Sequence, residues 1–123
     1  MQYYDKLTQY ERDGFTIIVD KTYEDIDPRG QFDTDDIEEI IKDIDRGHLE
    51  WFMLRVRVLV EGLELSSHYL GGCLYEDARQ VLSDGTAEDC IDEALREAKR
   101  EVYKLKQKFA ELSDMVDREG IAV

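Results

Sequence analysis

Residues 48–75 read HLEWFMLRVRVLVEGLELSSHYLGGCLY. Phe52, Leu54, Val56, Val58 and Val60 alternate with Trp51, Met53, Arg55, Arg57 and Leu59. A period of two puts successive side chains on opposite faces of a strand. Glu61-Gly62 then interrupts the run, and glycine accepts the positive φ that a two-residue hairpin turn demands. Such a turn predicts Val60 opposite Leu63, Val58 opposite Leu65 and Leu54 opposite Tyr69. On the second face Arg57 falls beside Ser66 and Arg55 beside His68. Apolar then meets apolar throughout, which is what fixes a register. Gly71-Gly72 falls late in the second arm, where glycine marks a bulge or a close backbone approach.

Upstream, FTIIVDK is β-branched and aromatic, predicting a strand over residues 15–21. The tyrosine-rich stretch before Asp13 (Tyr3, Tyr4, Tyr10) fits no single element. Between the strand and the hairpin, Ile37, Ile40, Ile41 and Ile44 have the spacing of one buried helix face. Thr34 or Asp33 is placed to cap that helix and Gly47 to stop it. Downstream, residues 76–82 predict a short helix closed by Asp84-Gly85. Thr86 then caps a long one over residues 86–118, with Glu88 and Asp89 suiting its first turn.

Along this last helix Ile91, Leu95, Ala98, Val102, Leu105, Phe109, Leu112 and Val116 alternate steps of four and three, a heptad seam. At 1.5 Å per residue it spans roughly 45 Å, more than a small sheet needs for cover. Its second half is therefore expected to project, with Val102, Leu105, Phe109, Leu112 and Val116 meeting a second copy in a homodimer. Arg96, Lys99, Arg100, Lys104, Lys106 and Lys108 form a basic stripe. It reads either as a solvated face with helical ion pairs or as a surface for the acidic segment of another copy. The fold expected is α+β: one domain over residues 1–123, with an antiparallel sheet of about three strands. An acidic helix lies between the first and second strands, and the long C-terminal helix crosses one face.

The chain carries a net charge of −14 over 123 residues, with 42% hydrophobic and 10% aromatic content. That hydrophobic content argues against a disordered chain, and the charge against direct binding of nucleic acid or an anionic membrane. The opening MQYYDKLTQYERD lacks the basic start and apolar run of a secretory leader, which points to the cytoplasm. Cys73 and Cys90 form no metal-binding spacing and read as buried, reduced thiols.

The acidity concentrates between Asp20 and Asp45, where eleven carboxylates face Lys21, Arg29 and Lys42. Like charge in such density repels itself. It calls for a cation, a need for solubility, or a partner. DIDPRGQFDTDD approaches a calcium loop, with Asp25, Asp27, Gly30, Phe32 and Asp33 at its first, third, sixth, eighth and ninth positions. Pro28 and Arg29 interrupt it, Asp36 replaces the long terminal glutamate, and a strand precedes it where a helix is required. No metal or other cofactor is expected.

Catalysis has less support. His48 and His68 lack zinc spacing, and a His68–Cys73 pair on one strand would point to opposite faces. The carboxylates lie where no pocket would tune them for proton transfer. The protein reads as a non-enzyme.

On the acidic helix Asp35, Glu39 and Asp43 form an outward row, broadened by Asp36, Glu38 and Asp45. Row neighbours lie about 6 Å apart, close to the phosphate spacing along a nucleic-acid strand. Carboxylates so placed can occupy lysines and arginines that otherwise grip phosphates. These six residues are the expected contact for a basic partner surface; a merely solvated acidic face is the competing reading.

The string YLGGCLYE, with small size, high acidity and a long charged helix after a hairpin, resembles small acidic accessory proteins of phages and plasmids. The resemblance covers the chain from about Gly14 to Leu105 in outline. It implies an anti-defence role in the host cytoplasm, as an acidic DNA mimic that blocks restriction or CRISPR complexes. It implies no catalytic residues. Two other classes compete: a structural or regulatory phage protein that self-associates through the long helix, and a calcium-binding module.

Overall fold

The structure is a computed structural model that describes residues 2–32 and 34–120. The elements run β1 (Tyr4–Arg12), β2 (Phe15–Tyr23), α1 (Ile37–Asp45), β3 (Glu50–Val60), β4 (Leu63–Tyr75), a 3-10 turn (Ala78–Leu82) and α2 (Thr86–Arg118). The four strands form one antiparallel sheet in the order β1-β2-β3-β4. The α+β class and the long helix are as expected, while the sheet has four strands instead of three. The additional strand is β1, joined to β2 by Asp13-Gly14, both with positive φ. That pair is the turn signature of a two-residue hairpin.

The second hairpin turns at Glu61-Gly62, again with both φ positive, and Val60 pairs with Leu63. Beyond that pair the register departs from expectation. A bulge at Leu65 sets Val58 opposite Ser66, Arg57 opposite Ser67, Val56 opposite His68, Arg55 opposite Tyr69 and Leu54 opposite Leu70. One extra residue exchanges the faces of everything after it. Ser66 and His68 therefore lie on the helix side and Tyr69 on the other, the reverse of the simple alternation. Ser66 shows why the bulge is stable: its hydroxyl donates to the Ala94 carbonyl of α2 at 2.5 Å.

One face of the sheet holds the core. Phe15, Ile17, Val19, Phe52, Leu54, Val56, Val58 and Cys73 pack against Ala87, Cys90, Ile91, Ala94, Leu95 and Ala98 of α2. The alanines let the helix lie close, and Val81 of the 3-10 turn fills the end of the layer. Thr86 is the first helical residue, not the cap; Gly85 holds the cap position and the Asp84 carboxylate accepts the Thr86 amide at 2.9 Å. After Ala98 no residue of α2 is buried. The two hairpin turns share the sheet end where α2 leaves, and Arg12 and Asp13 hold it there through Glu88, Asp92 and Lys99. No described helix is long and apolar enough to cross a membrane.

Candidate functional site

The acidic segment hangs from the opposite end of the sheet, and two of its carboxylates do not belong to its surface. Asp20 is 3% exposed on the face away from α2, where it accepts both arms of the Arg55 guanidinium at 2.8 and 2.6 Å. Arg55 also stacks 3.4 Å from the Tyr4 ring centroid, a cation–π contact that covers the ion pair. Arg57 lies 3.6 Å from the same carboxylate, and its Nε is buried with no hydrogen-bond partner among the described residues. His68 is not the partner of Arg55, because the Leu65 bulge turns it to the other face.

Glu24 is likewise buried. Its carboxylate accepts the amides of Gly72 at 2.8 Å and Ile26 at 3.2 Å. At Gly71 a Cβ would lie 2.7 Å from Glu24 Oε2, and Gly72 has φ +68° beside the Trp51 ring. The pair forms the expected bulge, with two residues opposite Met53 between the Phe52–Cys73 and Leu54–Leu70 pairs. Trp51 completes the anchor: its indole donates to the Ile26 carbonyl at 2.8 Å, and Phe32 meets it edge-on. The Gly-Gly of the YLGGCLYE string thus serves the docking of the acidic loop.

From this anchor the chain turns through Asp27, whose side chain accepts the Arg29 amide, and reaches α1. The helix begins at Ile37, later than the sequence suggests. Thr34 does not cap it, although its hydroxyl accepts the Asp36 amide; Asp36 holds the cap position, and Asp33 lies outside the described residues. Asp35 and Asp36 consequently sit in a turn before the helix. Only Glu39 and Asp43 keep the helical i, i+4 relation of the expected row. Gly47 ends the helix as expected, its amide donating to the Ile44 carbonyl. Ile37, Ile40, Ile41 and Ile44 are only half-buried, and a cleft of about 810 Å³ separates Ile44 and Leu49 from the sheet end at Lys21, Thr22 and Trp51.

Several of the carboxylates are met within the chain. Arg29 grips Glu38 with two nitrogens at 3.1 and 3.3 Å, Lys42 reaches Glu39 at 3.4 Å, and His48 lies 3.6 Å from Asp43. The Glu38 hydrogen bond raises the Arg29 pKa. Asp35, Asp36 and Asp45 are exposed and have no ion pair among the described residues. Of the six residues expected to contact a partner, Glu38 and Glu39 are thus paired with cations of the chain itself, and Asp35, Asp36 and Asp45 are exposed around them. Nor do the described residues hold any group of three or more candidate metal ligands.

His68 and Cys73 share the helix-side face after all, because the bulges undo the simple alternation. Their partners Val56 and Phe52 are four residues apart, about 13 Å along the strand, too far for a nucleophile and its base. Burial pushes the Cys73 thiol up to about 11 and raises Cys90 as well, and both are buried as expected.

The other expected surface lies at the opposite end. Val102, Phe109 and Leu112 are 42%, 61% and 41% exposed, while Leu105 and Val116 are half-buried. Val102, Leu105 and Phe109 form an apolar groove of about 340 Å³ with Val60, Leu63 and Leu65 of the hairpin. The hairpin half of this groove was not foreseen, since the Leu65 bulge shapes it. Comparison of the chain with protein-family descriptions, curated proteins and solved structures returned no match.

Proposed function

We propose that the protein is a non-enzymatic inhibitor whose acidic edge, formed by the loop before α1 and by α1 itself, occupies the basic surface of a nucleic-acid-handling protein complex. The observation that carries this reading is Asp35, Asp36 and Asp45 exposed on either side of Glu38 and Glu39, in a segment whose first part is anchored to the sheet by Glu24 and Trp51. Carboxylates that meet a partner's lysines and arginines make charge-assisted contacts, the stronger class of hydrogen bond. The intrachain ion pairs are exposed and individually weak, so a partner's cations can replace them. The likeness of YLGGCLYE to phage and plasmid accessory proteins points to restriction or CRISPR complexes in the host cytoplasm as the target class.

The test combines neutralisation with competition. Asp35→Asn, Asp36→Asn, Glu39→Gln and Asp45→Asn together leave every anchor intact, so the melting profile should be unchanged. Capture of a DNA-handling complex from host lysate should be lost with this variant and weakened by salt, and added duplex DNA should displace the wild-type protein. Capture that survives neutralisation, salt and duplex DNA alike means that the acids serve solubility only.

A further inference from the structure

We infer that the projecting half of α2 pairs with the same segment of a second copy in antiparallel orientation, which is independent of the acidic-edge reading. The exposed seam continues the face that packs Ile91, Leu95 and Ala98 on the sheet. In a parallel pair each seam would have its own sheet lying between the two helices, forcing them apart where they enter. In an antiparallel pair each sheet lies level with the other copy's helix and abuts its end. Both helices can then close to the 8–10 Å of ordinary helix packing.

Charge along α2 favours the same orientation. Residues 99–108 carry Lys99, Arg100, Lys104, Lys106 and Lys108 against Glu101 alone. Residues 109–119 carry Glu111, Asp114, Asp117 and Glu119 against Arg118 alone. Parallel helices would set like block on like block; antiparallel helices set each basic block on an acidic one. Charges flanking a seam decide partner and orientation in this way.

Charge also selects the register. Pairing Leu105 with Phe109 of the other copy would bring Lys106 against Lys106 and Lys108 against Lys108 across the two-fold axis. Sliding by one heptad pairs Phe109 with Leu112 and Leu105 with Val116, and the flanks become Lys106 with Ser113 and Lys108 with Met115. No like charges then face across the seam. The overlap runs from about Val102 to Glu119, roughly 27 Å of helix. Each Val116 then enters the other copy's groove between the hairpin and α2, whose lining is almost wholly apolar.

The experiment is sedimentation equilibrium on the full chain, followed by cysteine cross-linking. The mass should rise towards twice that of one chain with concentration. Phe109→Asp with Leu112→Asp should weaken association by about tenfold or more while leaving the melting of the dilute protein unchanged. Under mild oxidation, an equimolar mixture of Leu105→Cys and Val116→Cys proteins should give the mixed disulfide; Cys73 and Cys90 can remain because both are buried. A monomer at every concentration overturns the inference. So does a disulfide formed chiefly between two Leu105→Cys chains, which would place the helices parallel.

Discussion

The Glu24 carboxylate lies 2.8 Å from the Gly72 amide and 2.7 Å from the place a Cβ on Gly71 would take. A surface-looking acid and a glycine pair thus form one joint between the acidic loop and β4. Gly71→Ala should push the buried Glu24 carboxylate out and break its hydrogen bond to the Gly72 amide. The expected loss is about 1–3 kcal/mol by chemical denaturation. Glu24→Ala with Gly71→Ala should cost much less than the sum of the two single changes, since both break the same joint. Additive losses would show that the contact carries no energy of its own. Amide exchange should quicken in residues 24–32 before it quickens in the sheet.

Arg55 and Asp20 form the second such pair, in the middle of the sheet face that α2 leaves uncovered. Arg55→Leu leaves a buried carboxylate whose remaining cation, Arg57, is 3.6 Å away. Removing one partner of a buried pair costs on the order of 3–5 kcal/mol, and Arg57 should reduce that to about 2–3. Asp20→Leu with Arg55→Leu should be milder than either single change, because no charge is then stranded. A double variant less stable than both singles would mean that the ion pair itself, and not its completeness, holds β2 to β3. Equilibrium unfolding of the three variants distinguishes these outcomes.

Cys73 gives the fold an alkaline limit. Its pKa stands at about 11 in the folded chain against an ordinary 9.0, because burial disfavours the thiolate. A raised folded-state pKa means that the unfolded chain releases its proton first as pH climbs. The contribution is therefore full below about pH 9 and is lost as pH rises towards 11. Two pK units correspond to about 2–3 kcal/mol. Cys73→Ala should be less stable than the wild type at neutral pH through lost packing, and the gap should narrow steadily between pH 9 and 11. A gap independent of pH in urea titrations would refute the assignment.

Much of the architecture is legible in the chain. The strict alternation before Glu61-Gly62 marks β3 and its turn, and the four–three spacing marks α2 over Thr86–Arg118. β1 is harder, since YDKLTQYER alternates poorly; the Asp13-Gly14 dipeptide was the available signal. The Leu65 bulge is not legible at all. Leu65 and Ser66 satisfy either register locally, and the hydroxyl's partner is a helix carbonyl 28 residues away. The acidic edge was visible as composition, but composition cannot separate Asp20 and Glu24, whose partners lie on β3 and β4, from Asp35 or Asp45 in water. The helix start at Ile37 also escaped, because Thr34 turns its hydroxyl to the Asp36 amide in a tighter loop.

Where α2 leaves the sheet, stability and association should separate. Every buried residue of the helix lies at or before Ala98, and Phe109 and Met115 are 61% and 48% exposed. A chain ending at Gln107 keeps the whole core, the Arg12 and Lys99 ties and half-buried Leu105. It should fold cooperatively, and in dilute solution its loss should be within about 1 kcal/mol, or ~4 °C in melting temperature. At high concentration the difference should widen. The full chain gains stability by associating, as anything that binds only the folded state raises its apparent melting point, and the shortened chain gains none. Melting curves across a dilution series separate the two effects. A shortened chain that melts broadly and far below the full one even when dilute would show that the distal helix helps to hold the monomer. Parallel curves for both chains across the series would show that the exposed seam has no second copy to meet.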